Sequence, residues 1–422
     1  MRQFTSFLLI LITSCLYGQG GSGELISNSF VHDDSVRTYL VYVPSTYDGS
    51  QAWPLVINMH GLGSNRFEQQ FVSRMNEVAD TAHFLIAYPQ GTLGMLPNGS
   101  MAPAWNPELL PGRADDVGFI SQLIDTLAQN WNVDVNRIYS TGMSQGGVMS
   151  YILACNIPDR LAAIASVAGV SVLGIDWTCT AGRPMPVLHI HGTADRISPF
   201  NGGTGILGPG LVFPPIRDQL GYWLAGNGCV ADSLLTSFAD LNVADNSTAT
   251  LRQFQSCDTY VGEDGVEHNA ELWFYIIENG GHTWPDAPPQ SVPPGLEAIF
   301  GNINRDINAG SEIWNFFKRH TLPAAPNPVD YLDARKIGLR VFPNPFTTEL
   351  NFTFELPSSS RVELGLYNVL GQELARIADL QLPAGEHLLP WRAEAGALVP
   401  GLYYYRLRIN DEWLSRPVVL GR

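Results

Sequence analysis

The pentapeptide Gly142-Met143-Ser144-Gln145-Gly146 sets a serine hydroxyl between two glycines. A hydroxyl is a weak nucleophile until a base stands within reach and a third group orients that base. Asp195, in His191-Gly-Thr-Ala-Asp195, and His282, in Gly280-Gly-His-Thr-Trp-Pro285, are of the right types. The three could carry acyl transfer: Ser144 attacks a carbonyl, His282 moves the proton, and Asp195 holds the imidazole. The oxyanion so formed needs two preorganised amides. Gln145 follows the serine and supplies one candidate, and Leu62, in His60-Gly-Leu-Gly63, supplies the other. Trp284 stands beside the histidine, and Trp284 and Trp105 are candidate walls for a substrate. By itself the pentapeptide also fits an ordinary glycine-rich turn.

The elements around these residues sharpen the reading. Leu55–Met59, Phe84–Tyr88, Arg137–Thr141, Pro186–Ile190 and Glu271–Ile277 are short apolar runs and read as strands. Val117, Ile120, Leu123, Ile124 and Leu127 share one face of a helix over 117–130, and Asp115 and Asp116 stand where a carboxylate caps a helix start. A second helix is expected from Gln145 to about Ala154. Alternation of this kind implies a mostly parallel sheet covered on both faces. Ser144 then lies at a strand-to-helix junction, with Asp195 and His282 each just after a strand. The order serine, aspartate, histidine is that of the α/β-hydrolase fold. The expected class is therefore α/β: an α/β-hydrolase fold with a mostly parallel central sheet, plus a small C-terminal all-β sandwich.

That second unit follows Thr321–Pro328, which carries three prolines within residues 323 to 328 and reads as a linker. Beyond it, Leu350–Phe354, Val362–Leu366 and Leu402–Ile409 alternate with period two. At the other end, Arg2 and the apolar run Phe7–Ile12 read as a secretory signal. Ile12-Thr13-Ser14-Cys15 offers lipidation at Cys15 as the rival. The expected organisation is a signal peptide over 1–20, a catalytic domain over 21–320, a linker over 321–337 and a sandwich over 338–422.

Charge narrows the partners. The chain carries 24 basic and 40 acidic residues, a net of −16, which disfavours a nucleic-acid partner. No later run is long and apolar enough for a transmembrane helix. Cys155, Cys179, Cys229 and Cys257 remain after the signal; an even count in an exported chain suggests two disulfides. Three pairings are open, and four buried thiols are the alternative. His189 and His191 have the spacing of a metal pair but no third ligand nearby. No metal and no cofactor is expected.

His60-Gly-Leu-Gly-Ser-Asn, Asp115-Asp-Val-Gly-Phe-Ile, Arg137–Gly147, His191-Gly-Thr-Ala-Asp and Gly280-Gly-His-Thr-Trp-Pro together resemble the secreted polyhydroxybutyrate depolymerase and feruloyl esterase group. That group lies in the carbohydrate esterase branch (carbohydrate esterase family 1-like) of the α/β-hydrolases. The resemblance covers about residues 25 to 320. It implies Ser144 as nucleophile, Asp195 as acid and His282 as base, and it favours the pairings Cys155–Cys179 and Cys229–Cys257. The Gly- and Pro-rich stretch 201 to 215 departs from the group. Val341-Phe-Pro-Asn-Pro345, Val362–Gly371 and Pro400–Tyr405 resemble the sorting domain of substrates of the type IX (Por) secretion system. This implies that secretion machinery as a partner and an extracellular or cell-surface location.

The expected function is an extracellular serine carboxylic-ester hydrolase working through an acyl-enzyme. Its substrate would be a polymeric ester, such as feruloylated or acetylated plant polysaccharide or a polyhydroxyalkanoate. The alternatives are a serine peptidase of the same fold and a non-catalytic carbohydrate-binding protein. For the latter, Trp391 and Trp413 could offer stacking faces.

Overall fold

The structure, a computed structural model, describes residues 21–95, 100–107, 113–170, 183–206, 211–230, 232–323, 337–344, 346–368, 373–393, 398–399, 401–410 and 412–421. The expected signal peptide with Cys15, Cys179, and residues 324–336 of the expected linker lie outside them. The chain divides into two units, Met1–Ala324 and Ala325–Arg422.

The first unit is built on one sheet of ten strands. These are β1 (Glu24–His32), β2 (Ser35–Val43), β3 (Trp53–Met59), β4 (Leu85–Pro89), β5 (Val133–Met143), β6 (Ala163–Val167), β7 (Val187–Gly192), β8 (Leu234–Ser237), β9 (Thr248–Phe254) and β10 (Leu272–Glu278). Their spatial order is β1-β2-β4-β3-β5-β6-β7-β10-β9-β8. From β4 through β10 in that order every neighbour is parallel, with Ile57 opposite Ser140 and Ile276 opposite His191. Antiparallel pairs extend the sheet at both edges. This is the α/β-hydrolase fold.

Strands β3, β4, β6 and β7 are buried along nearly their whole length because helices cover both faces. In chain order these are α1 (Arg66–Ser73), α2 (Met75–Ala82), α3 (Asp116–Asn130), α4 (Gln145–Asn156), α5 (Ile216–Gly226), α6 (Glu297–Phe300) and α7 (Ala309–Phe317). On one face α3, α4 and α5 bury Phe119, Leu123, Met149, Tyr151 and Trp223. On the other, α2 and α7 bury Met75, Ala79, Ile313 and Phe316. Asp115 caps α3, its side chain accepting from Gly118 N at 2.8 Å. Asp116 does something else: it is buried and takes the Arg37 guanidinium at 2.5 Å.

Cys229 and Cys257 form a disulfide across 28 residues, joining the turn after α5 to the turn after β9. Closing such a loop is worth roughly 3 kcal/mol in the chain-entropy model. Among the described residues no helix is long and apolar enough to cross a membrane.

The second unit holds a three-stranded antiparallel sheet (Arg340–Phe342, Glu349–Leu356, Gly385–Arg392) and a four-stranded one (Ser360–Tyr367, Glu373–Leu382, Gly401–Ile409, Glu412–Leu420). Alternate residues of both sheets, among them Leu350, Phe352, Val362, Leu364 and Leu407, fill a common core, as in a sandwich. Trp391 is half-buried and packs on Phe346, so it is less available than the exposed stacking face expected of it. Trp413's side chain lies outside what is described.

Candidate active site

Strand β5 ends at Met143 and helix α4 begins at Gln145, leaving Ser144 alone on the turn between them. Its backbone sits at φ 54°, ψ −120°, a region that costs a non-glycine residue on the order of 1–3 kcal/mol. The flanking glycines make the turn possible. A β-carbon at Gly142 would lie 2.6 Å from Met59 O, and one at Gly146 would lie 2.1 Å from the same oxygen. The turn is fastened by Ser144 N–H, which donates to Val167 O at 2.7 Å.

The loop after β3 closes over this turn. A β-carbon built on Gly61 would stand 3.3 Å from Ser144 Cβ and 3.9 Å from its Oγ. Leu62 and Gln145, the two expected oxyanion donors, are the chain neighbours of Gly61 and of Ser144 on these two separate segments. His60 is buried and braces the loop. Its Nδ1 pairs with Gly61 O at 2.8 Å, and a carbonyl only accepts, so Nδ1 carries the proton. Nε2 then accepts from Gly91 N at 2.9 Å and Gln90 Nε2 at 3.1 Å. Burial pushes the His60 pKa down to about 4, so the ring is neutral near pH 7.

Asp195 follows β7 and is wholly engaged. Oδ1 accepts from the amides of Ile197 and Ser198, both at 2.8 Å. Oδ2 accepts from His282 Nδ1 at 2.7 Å and stands 3.3 Å from His191 Nε2. Burial opposes its charge, but His282 and His191 beside it hold the carboxyl well below the usual carboxylate range. His282 follows β10, its backbone fixed by donation from its N–H to Phe300 O at 2.6 Å. With Nδ1–H spent on Asp195, the lone pair of the neutral ring falls on Nε2, the tautomer a general base requires. Among the described residues no hydrogen bond joins Ser144 Oγ to His282. Such bonds are often loose before substrate arrives.

A chain of buried side chains stands behind Asp195. Tyr151, on α4, meets His189 Nδ1 at 2.7 Å; His189 Nε2 meets His191 Nδ1 at 3.2 Å; His191 Nε2 meets Ser198 O at 2.8 Å. Only one proton arrangement suits neutral rings. Ser198 O must accept, so His191 donates from Nε2, His189 donates to His191, and Tyr151 donates to His189. The alternation His189-Ile-His191 on a strand leading to Asp195 was the available sequence signal; their partner on α4 was not legible.

Trp284 and Trp105, the two candidate substrate walls, are both buried. Trp284 is 1% exposed and belongs to the core under α2 and α7. Trp105 is 2% exposed, with its indole N–H on His60 O at 2.8 Å. Both rings are occupied by packing. The described residues contain no group of three or more His, Cys, Asp or Glu placed to hold a metal.

Residues 46–205 match the phospholipase/carboxylesterase family model. The chain is 31% identical over 171 residues to the bifunctional acetylxylan esterase/xylanase XynS20E of Neocallimastix patriciarum, covering 40% of this chain and 23% of that protein. It is 30% identical over 200 residues to feruloyl esterase B of Piromyces equi, covering 46% and 36%. It is 24% identical over 336 residues to feruloyl esterase D of Neurospora crassa, covering 75% and 97%. The chain thus spans well under two thirds of the length of the first two relatives.

Proposed function

We propose that this protein is a serine carboxylic-ester hydrolase. Ser144 would attack the ester carbonyl as His282 Nε2 takes its proton, and the amides of Leu62 and Gln145 would receive the oxyanion. His282 then returns the proton to the leaving alcohol, and water releases the acyl group from Ser144 by the same steps in reverse. Asp195 keeps its charge throughout and stabilises the imidazolium. Losing a single donor from an oxyanion hole costs roughly 2.7–4 kcal/mol of barrier, so two amides account for a large part of the rate.

The observation that carries the reading is the strained Ser144 turn in the same fold as the Asp195–His282 pair. The relatives named as feruloyl and acetylxylan esterases favour a polymeric ester substrate, a feruloylated or acetylated plant polysaccharide or, by the motif likeness, a polyhydroxyalkanoate. We further read the C-terminal sandwich as a type IX sorting domain that delivers the enzyme outside the cell. The likeness of Val341–Pro345, Val362–Gly371 and Pro400–Tyr405 supports this.

The test is a panel on the purified protein: p-nitrophenyl acetate, methyl ferulate, acetylated xylan and a hydroxybutyrate polymer. Turnover of the aryl ester and of at least one polymer is expected. Inactivity on all four refutes the proposal. Export is tested apart from this, by ending the chain at residue 325 and assaying the culture medium. Undiminished export contradicts the sorting role.

A further inference from the structure

We infer that Trp105 is a positioning residue that holds the two halves of the oxyanion hole in register. The inference rests on the esterase reading above. The two amides belong to different segments: Leu62 to the loop after β3, Gln145 to the first turn of α4. An oxyanion hole works only if both donors stand about 2.7–3.1 Å from one point, so something must fix the gap between the segments.

Trp105 touches both. Its indole N–H donates to His60 O at 2.8 Å. Its backbone N–H donates to Gln145 Oε1 at 2.9 Å, and its backbone carbonyl accepts from Gln145 Nε2 at 3.3 Å. The His60 ring lies against the indole with centroids 5.0 Å apart. Just before Trp105, the hairpin Thr92–Met95/Met101–Ala104 adds another tie, since Gly63 N–H donates to Pro103 O at 2.8 Å. The loop is thus held on both sides of Leu62, at His60 and at Gly63.

The direction of the Leu62 amide follows. The Gly61 carbonyl is turned onto His60 Nδ1, and across a trans peptide the next N–H points the opposite way. Leu62 N–H therefore faces away from the imidazole. The brace is itself anchored: Asn106 N–H donates to Asp116 Oδ2 at 2.7 Å, and Asp116 is ion-paired with Arg37, both nearly free of solvent. Gly91 is small for the same reason, since a β-carbon there would meet Ala104 O at 2.6 Å and His60 Cε1 at 3.2 Å.

Two variants of the full-length chain test the inference. Trp105→Phe keeps a ring in place and removes the indole donor. Gln145→Met keeps side-chain length and the backbone N–H while deleting both bonds to Trp105. Each is assayed on p-nitrophenyl acetate beside the wild type, with thermal midpoints taken on the same samples. Each is expected to lower kcat about ten- to a hundredfold with KM within about twofold, because a misaimed hole weakens transition-state binding and not ground-state binding. The double variant is expected to lose less than the product of the single losses, since both changes break one brace. A raised KM at unchanged kcat would make Trp105 part of the substrate wall and overturn the inference; so would unchanged kinetics. If Trp105→Phe does not fold, Gln145→Met decides alone on the same criteria. Failure of the esterase reading shows separately, as a wild type without Ser144-dependent turnover, and the inference then falls with it.

Discussion

Asp195 Oδ2 accepts a 2.7 Å hydrogen bond from His282 Nδ1 across 87 residues of sequence. The same oxygen faces His191 Nε2 at 3.3 Å, so two imidazoles converge on one carboxylate oxygen. The first fixes the tautomer of the neutral His282 ring. The second, held by His189 and Tyr151, ties the carboxylate to helix α4, which starts next to Ser144.

His191→Leu removes the second imidazole from Asp195 and leaves the charge less supported. The Nε2–H of His191 is donated to Ser198 O and only shared with Asp195 Oδ2 at 3.3 Å; a full hydrogen bond to a charged group is worth about 1.5–3 kcal/mol, so kcat is expected to fall by about tenfold or less with little change in KM. His191→Gln, which restores an N–H donor, is expected to recover part of the loss. Steady-state kinetics on a short aryl ester checks both. An equal loss in the two variants contradicts a role through the N–H.

Acid stability follows from the buried histidines. Burial lowers the folded-state pKa of His60 from 6.5 to about 4, and of His189 and His320 well below 6.5. A histidine depressed in the folded state favours folding fully above its unfolded pKa, and that contribution is lost as pH falls below about 6.5 towards the folded value. His60 alone contributes roughly 3 kcal/mol at neutral pH on this account. Asp195 adds nothing in this window, because its carboxyl is depressed from 3.8 and its contribution is lost only at lower pH. Urea midpoints are expected to drop steadily from pH 7 to pH 4.5. A flat profile contradicts the neutral, buried state of these rings.

The glycines beside the serine separate crowding from strain. Gly146→Ala would force a β-carbon to 2.1 Å from Met59 O, so loss of the folded elbow, and with it of activity, is expected. Gly63→Ala meets nothing within 4 Å but sits at φ +79°. Its cost is expected to be about 1–2 kcal/mol of stability, the left-handed penalty alone. Thermal melts of both variants check the contrast; equal shifts contradict it.

What could be read in the sequence were features with local cause. Gly142 and Gly146 announce a tight turn, and the apolar runs before Ser144, Asp195 and His282 announce strand ends, so the sheet and its C-terminal rim were legible. The hairpin of β1 and β2 passed unread. So did β6, whose Ala163-Ile-Ala-Ser-Val167 is mostly small residues, and β8, whose Leu234 and Leu235 are exposed at the sheet edge and leave no burial pattern. Roles fixed by tertiary contact were out of reach. Nothing local says that the Trp105 indole faces His60 or that its backbone faces Gln145. Asp116 looked like a second cap because Arg37, its partner, lies 79 positions away.

The most direct measurement is the intact mass of the protein after reaction with a fluorophosphonate, for the wild type and for Ser144→Ala. One adduct is expected on the wild type, mapped to the peptide holding Ser144, with Asp195→Asn slowing its formation and Ser144→Ala abolishing it. An adduct of equal rate and extent on Ser144→Ala, or none on the wild type, would rule out Ser144 as the nucleophile.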